Sequence, residues 1–306
     1  MTPLEALCAA LPTSDPGDRQ ERTVGTLLES MPYIQRFWGA TIVIKYGGAA
    51  MTSRRLQEEF ARDVVLLRLV GMRPIVVHGG GPQVTQMMQR LGMDATFVRG
   101  HRVTDEETME VARMVLVGKV NKDLVGLVHR NGGTAVGLSG EDGQLLVTER
   151  LAHQDDEGQP IDIGLVGRVR EVNTGVLELL SEGAIPIVAS IGADEAGQAY
   201  NVNADTVAGA LAAALGAEKL LLLTDVPGVL APARGGERVI DECRLGELDA
   251  LEAAGAVGGG MVPKVAAVRT ALQAGVRSAH IVDGRVDHAL LLEILTDAGC
   301  GTKVVA

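Results

Sequence analysis

Short apolar runs, each followed within a few residues by glycine, constrain this chain more than any other feature. Residues 41–44, 74–78, 134–138, 185–189, 220–224 and 279–282 are rich in Val, Ile and Leu and too short to be helices. Between them, residues 53–70, 82–91, 204–215, 263–274 and 287–296 read as helices. Strands that are apolar on both faces, alternating with helices, predict an α/β fold: a mainly parallel open sheet sandwiched between helices. Thr104 with Glu107 reads as a capping box opening a long helix to His129, and residues 145–172 read as hairpins. The 306 residues exceed the usual single-domain size, which predicts two lobes in one body. Gly192 to Gly197 breaks the pattern and places the boundary between 38–198 and 199–306.

Ahead of the first strand, Val24, Leu27, Leu28, Met31 and Ile34 form one apolar stripe, which predicts a helix over residues 23–37 with a kink at Pro32. Tyr33, Phe37 and Trp38, three of only seven aromatics, follow closely. Two readings stand: a cap on the core of its own subunit, or a contact arm for a second one. Residues 1–22 read as a variable extension with a weakly helical patch and a linker at 13–18.

A net charge of −11 argues against affinity for nucleic acid or anionic membranes, but not against a local basic pocket. Cys8, Cys243 and Cys300 are odd in number and far apart, which predicts free thiols in a reducing compartment, the cytoplasm. No early apolar segment reads as a signal peptide, and no run approaches the roughly 20 apolar residues that span a bilayer.

Three glycine-rich loops carry the chemistry. Lys45-Tyr46-Gly47-Gly48 follows the first strand, where open α/β sheets bind ligands. Gly79-Gly80-Gly81-Pro82 follows the second, with Pro82 suited to the first helical position, so the loop forms a bare anion nest at a helix N-terminus. Gly258-Gly259-Gly260-Met261-Val262-Pro263-Lys264 feeds a helix with a lysine in its first turn, unfavourable for the helix dipole until an anion binds there. Taken alone, the first is matched by a surface lysine beside a tight turn, whereas three successive glycines weaken the strand-loop-helix unit and argue against a purely structural role for the second. Neither a Rossmann fingerprint nor a Walker loop is present. Asn201, Asn203 and Asp205 share one side of an extended segment; helix capping accounts for one of them but hardly for all three. Lysines, glycine nests and a lone Asp without an evident nucleophile–base set suit phosphoryl transfer, which needs positioning and positive charge. An acceptor carboxylate, with an ordinary pKa of about 4.3, is ionised at neutral pH and needs no general base.

Lys45-Tyr46-Gly47-Gly48-Ala49, His78 to Gln83, Arg99 to Asp105, Asn201 to Thr206 and Gly260 to Lys264, in this order and spacing, resemble the amino acid kinase family. The match extends over residues 38–306 and is nearest to the branch acting on N-acetyl-L-glutamate. The resemblance implies that Lys45 and Lys264 neutralise transition-state charge, with Asp205 holding them. It implies that Gly47, Gly48, Gly79 and Gly80 meet the phosphoryl oxygens. By the same resemblance, Gly80, Gly81, Arg102, Asn201 and Asn203 bind N-acetyl-L-glutamate, and residues 38–198 form the acceptor-binding and dimerisation lobe. Thr224, Asp225, Val226, Gly228, Val229, Leu230, Ala256, Val257, Gly258, Met261 and Lys264 would bind ATP in the lobe 199–306. Mg²⁺ would arrive on the nucleotide, with no protein ligand. The helix 23–37 resembles the arm that interlaces dimers into hexamers in arginine-inhibited members, and His280, Glu293 and Gly299 resemble their L-arginine site. A PII-type signalling partner belongs to such systems, but no residue pattern here specifies one. The rivals are glutamate 5-kinase, carbamate kinase, aspartokinase, and a catalytically silent amino-acid sensor on the same scaffold.

Overall fold

The computed structural model describes residues 16–306 apart from 52, 155, 156, 181, 234, 235 and 298. The expectations for residues 1–15, including Cys8 and the first half of the linker, lie outside the described residues, and the linker's second half, 16–18, is helical instead.

Eight strands form one sheet, in the order Glu242–Arg244, Gly301–Val305, Ser278–Asp283, Lys219–Thr224, Thr41–Tyr46, Arg73–His78, Ile185–Ala189 and Ala135–Ser139. Every neighbouring pair is parallel except Ser278–Asp283 with Gly301–Val305. All six residues of Ser278–Asp283 are buried, as are five of six in Thr41–Tyr46, which explains the unbroken apolar runs. Strands from residues 41–189 make one half of the sheet and strands from 219–305 the other. The halves join where Ile42 to Lys45 pair with Lys219 to Leu222. A small closed barrel of Leu146–Arg150, Val166–Val172, Ile191–Ala193 and Ala199–Val202 adjoins the first half. Its Leu146–Arg150 and Val166–Val172 pair antiparallel, the hairpin expected in that stretch.

Several local expectations are corrected. The long helix is capped by Asp105, whose carboxylate accepts from Thr108 N, while Thr104 Oγ1 donates to the Arg102 carbonyl two residues back. Asp outcompeted Thr here because its charge also suits a helix N-terminus. The same helix passes through a π-helical stretch, Met114–Val120, before resuming as Asn121–Arg130. The N-terminal helix runs Pro16–Phe37 and its assignment continues across Pro32. Phe37 is buried, but Val24, Leu27 and Leu28 are each more than half exposed. The helices Gly175–Leu180 and Leu245–Ala253 were not anticipated: the first is only six residues long, and the second has no clear apolar stripe. No helix among the described residues is long and apolar enough to cross a membrane.

Candidate active site

Lys45 sits at the C-terminal end of the central strand Thr41–Tyr46, paired on either side with Val77 and Leu222. Asp205 lies in the first turn of the helix Ala204–Ala214, capped by Asn203, whose Oδ1 accepts from Asp205 N at 2.8 Å and Thr206 N at 3.2 Å. Lys264 lies in the first turn of the helix Val262–Gln273. The two helices pack closely because Gly209 has no side chain: a Cβ there would stand 2.8 Å from the Ala267 carbonyl oxygen. That approach brings Lys264 Nζ to 3.2 Å from Asp205 Oδ2. Lys45 Nζ reaches the other oxygen at 3.1 Å, as an ion pair rather than an aligned hydrogen bond.

All three charges are at least nine-tenths buried. Burial pushes the Asp205 carboxyl upward, but the two ammonium groups outweigh it and hold the carboxyl below the ordinary range. The triplet therefore carries one uncompensated positive charge in a place poor in water. Such an arrangement is costly until an anion arrives. Lys264 Nζ also donates to the Gly260 carbonyl at 3.2 Å, which ties the third glycine loop to the cluster.

A cavity of about 240 Å³ opens beside this cluster, and Lys45, Gly47, Gly48, Gly79, Gly80, Gly81, Arg102, Asn201, Asn203 and Asp205 all line it. The expected catalytic, phosphate-contacting and acceptor-binding residues are thus brought together, Lys264 through Asp205. Arg102 is buried under the Phe97 ring, 4.7 Å from its centroid, and burial lowers its pKa. Its Nη2 donates to the Gly81 carbonyl at 2.9 Å and to Thr85 Oγ1 at 2.7 Å, so part of the fork is engaged within the protein. Asn201 Nδ2 reaches Thr104 Oγ1 at 3.4 Å. Asn203 is the residue that capping explains, since its Oδ1 is taken by two backbone amides.

The expected nucleotide segments are not part of this lining. Gly48 leads toward them, for a Cβ on it would lie 3.5 Å from Asp225 N. Val229 N donates to Thr302 Oγ1 at 2.8 Å, and Val257 is buried in the core cluster against which Met261 packs. A second cavity, about 310 Å³, collects His280, Glu293 and Gly299 with Tyr33, Phe37 and Lys219. There His280 Nδ1 faces Glu293 Oε1 at 2.5 Å, and Ser278 Oγ faces Nε2 at 2.8 Å. Burial lowers the Lys219 ammonium to about 8. Sequence reasoning missed Lys219, Phe97, and the pair His78 and Asn121 behind the second glycine loop. His78 was legible only as part of a motif, and Asn121 carried no signal at all.

Among known proteins, residues 40–283 match the model of the Amino acid kinase family. Acetylglutamate kinase of Moorella thermoacetica is 50% identical over 285 residues, covering 92% of this chain and 96% of that protein. Acetylglutamate kinase of Geobacter sp. (strain M21) is 52% identical over 286 residues, covering 92% and 97%. Among solved structures, N-acetylglutamate synthase from Neisseria gonorrhoeae, complexed with coenzyme A and N-acetyl-glutamate, superposes with a TM-score of 0.80 at 25% identity. That match covers 92% of this chain but only 63% of the synthase chain. Carbamate kinase from Giardia lamblia bound to AMP-PNP shares the fold, with a TM-score of 0.62 at 20% identity over 87% of this chain and 98% of that one. With a buried Lys–Asp–Lys cluster facing a glycine-lined cavity, and with relatives matched over nearly their whole length, this chain belongs to the amino acid kinase family.

Proposed function

We propose that this chain is an ATP-dependent kinase that phosphorylates the side-chain carboxylate of N-acetyl-L-glutamate, giving N-acetyl-L-glutamyl 5-phosphate in cytoplasmic arginine biosynthesis. The observation that carries the reading is the Lys45–Asp205–Lys264 cluster at one wall of a cavity lined by three successive glycines. The acceptor carboxylate is already ionised, so it attacks the γ-phosphorus without a base and ADP leaves. Negative charge spreads over the transferring oxygens, and the excess positive charge of the cluster stabilises it. Lys45 and Lys264 are the charge stabilisers, and Asp205 holds both in register.

Gly47 and Gly80 donate backbone N–H groups to the phosphoryl oxygens, with Gly48 and Gly79 completing the two loops. Arg102, Asn201, Asn203 and Gly81 take the acceptor within residues 38–198 and the start of the second lobe. Residues 224–230 and 256–261 take the nucleotide within 199–306. Both oxygens of Asp205 face lysines. Mg²⁺ is accordingly assigned to the nucleotide phosphates and to no side chain.

The test is ATP consumption with hydroxylamine trapping. A hydroxamate that forms with N-acetyl-L-glutamate but not with L-glutamate or carbamate supports the reading. Formation with L-glutamate makes the chain a glutamate 5-kinase, and none with any acceptor makes it a sensor.

We also infer that the second cavity receives L-arginine as an inhibitor and that the N-terminal helix joins dimers into a hexamer. Glu293 is a suitable guanidinium partner. The helix supplies Tyr33 and Phe37 to that cavity while leaving its apolar stripe exposed.

A further inference from the structure

The strand Arg73–His78 ends on an imidazole with no solvent exposure, a costly position unless both ring nitrogens are satisfied. Both are. His78 Nδ1 lies 2.8 Å from the Gly79 carbonyl oxygen, and Nε2 lies 3.1 Å from Asn121 Nδ2.

Asn121 decides which nitrogen carries the proton. Its Nδ2 also faces two carbonyl oxygens, of Ile187 at 2.8 Å and Leu138 at 3.3 Å, while its Oδ1 accepts from Lys122 Nζ at 3.2 Å. Carbonyls only accept, so Nδ2 is the donor end of the amide and Nε2 of His78 must accept. The proton therefore sits on Nδ1 and is donated to Gly79. Burial pushes His78 down to about 4, so the ring stays neutral near pH 7 and holds this tautomer.

The consequence falls on the next peptide. It is trans, like every peptide described, so the Gly79 carbonyl and the Gly80 N–H point in opposite directions from one rigid plane. Drawing the carbonyl onto His78, which does not line the cavity, turns the Gly80 N–H away from His78, and both glycines line the cavity. No hydrogen bond among the described residues uses that N–H. Flanked by residues without Cβ, this peptide rotates easily in the absence of a tether. Beside Gly80 the space is already taken, since a Cβ there would stand 2.6 Å from Cδ2 of Leu116, a residue of the π-helical stretch that also lines the cavity.

We propose that His78, anchored by Asn121, is a positioning residue that orients the Gly79–Gly80 peptide and so aims the Gly80 N–H at the transferring phosphoryl group. This rests on the kinase reading above. The tether contacts neither substrate, so its loss lowers kcat and leaves the KM for ATP nearly unchanged.

Two variants separate the two ends of the ring. Asparagine places its amide N–H where Nδ1 stands and keeps the bond to Gly79. Glutamine reaches only to where Nε2 stands and loses it. His78→Asn is expected to keep kcat within about threefold, and His78→Gln to lose about tenfold or more, toward the range for losing one oxyanion donor. Equal losses in both variants, or a folded His78→Gln with unchanged kcat, would overturn the proposal. The ¹⁵N imidazole spectrum of the unaltered protein gives a readout that needs no variant. The Nδ1–H tautomer is expected, and the Nε2–H tautomer sinks the tether outright. Should the unaltered protein form no hydroxamate with N-acetyl-L-glutamate, the kinase reading fails, and the tautomer spectrum still judges the tether.

Discussion

Gly47 lies so close beneath the Lys45 side chain that a Cβ on it would stand 2.6 Å from Lys45 Nζ. The ammonium is thus held toward Asp205 by the absence of a side chain two residues along. Gly47→Ala forces the flexible end of Lys45 to move while leaving the strand Thr41–Tyr46 in place. We expect turnover to fall by about tenfold or more, approaching the roughly hundredfold loss expected of Lys45→Ala or Lys264→Ala. Steady-state kinetics with a melting curve checks this. Unchanged turnover in folded Gly47→Ala would mean that the position of Lys45 does not limit the reaction.

The cluster also makes an asymmetric prediction about stability. Replacing one lysine by methionine leaves a balanced pair with Asp205. Asp205→Ala leaves two buried ammonium groups with no carboxylate, and breaking a buried ion pair from one side costs about 3–5 kcal/mol. Denaturant unfolding should therefore rank Asp205→Ala well below Lys45→Met and Lys264→Met. The sign of the pH effect comes from the folded-state depression of the Asp205 carboxyl. Its stabilisation is present above the unfolded value, about 4, and is lost as pH falls through the lower folded value. Asp205→Asn should flatten that acid limb, and an unchanged limb would assign it to other carboxylates.

Arg102 presents a forked guanidinium partly engaged by Gly81 and Thr85. Lysine cannot reproduce the fork. Arg102→Lys should weaken N-acetyl-L-glutamate binding by about tenfold and leave ATP binding near its original value, read by calorimetry with each ligand. A parallel loss of both affinities would make the loop structural.

How much of this was legible in the sequence varies with the range of the interaction. The strand Thr41–Tyr46 and its neighbours were readable because burial on both faces leaves an unbroken apolar run. Lys45 and Gly80 were readable because their loops are short and glycine-rich. The Lys264–Asp205 contact spans 59 positions and depends on the close approach at Gly209, a helix-interior glycine that propensity alone counts as a defect. Asn121 lies 43 positions from His78, and no local pattern separates a buried Asn from an exposed one. The cap at Asp105 was missed by one position because two adjacent residues both suit an N-cap.

The arginine control proposed above places its demands on the second cavity. Tyr33 in the N-terminal helix donates to Asp297, so the helix touches the segment that bears Gly299. Glu293 accepts from Cys300 N at 2.8 Å and faces His280, and these contacts overcome burial to keep its carboxyl below the ordinary range. It is therefore ionised and suited to a guanidinium. Lys219 opposes it, but burial lowers that ammonium to about 8. A cationic ligand should then bind more tightly as pH rises through that value, because Lys219 sheds its charge there. Lys219→Met should remove the pH dependence, and Glu293→Ala should weaken arginine inhibition without changing assembly. An inhibitor acts by favouring one of two conformations, so the proposed arginine control requires the helix to couple to the lobes. Deleting residues 1–36 should convert hexamers to dimers, retain catalysis and blunt the response. Light scattering paired with activity at rising arginine decides the matter. An intact protein that stays dimeric and ignores arginine at about 1 mM, a concentration at which even weak binders register, would leave the cavity without this ligand.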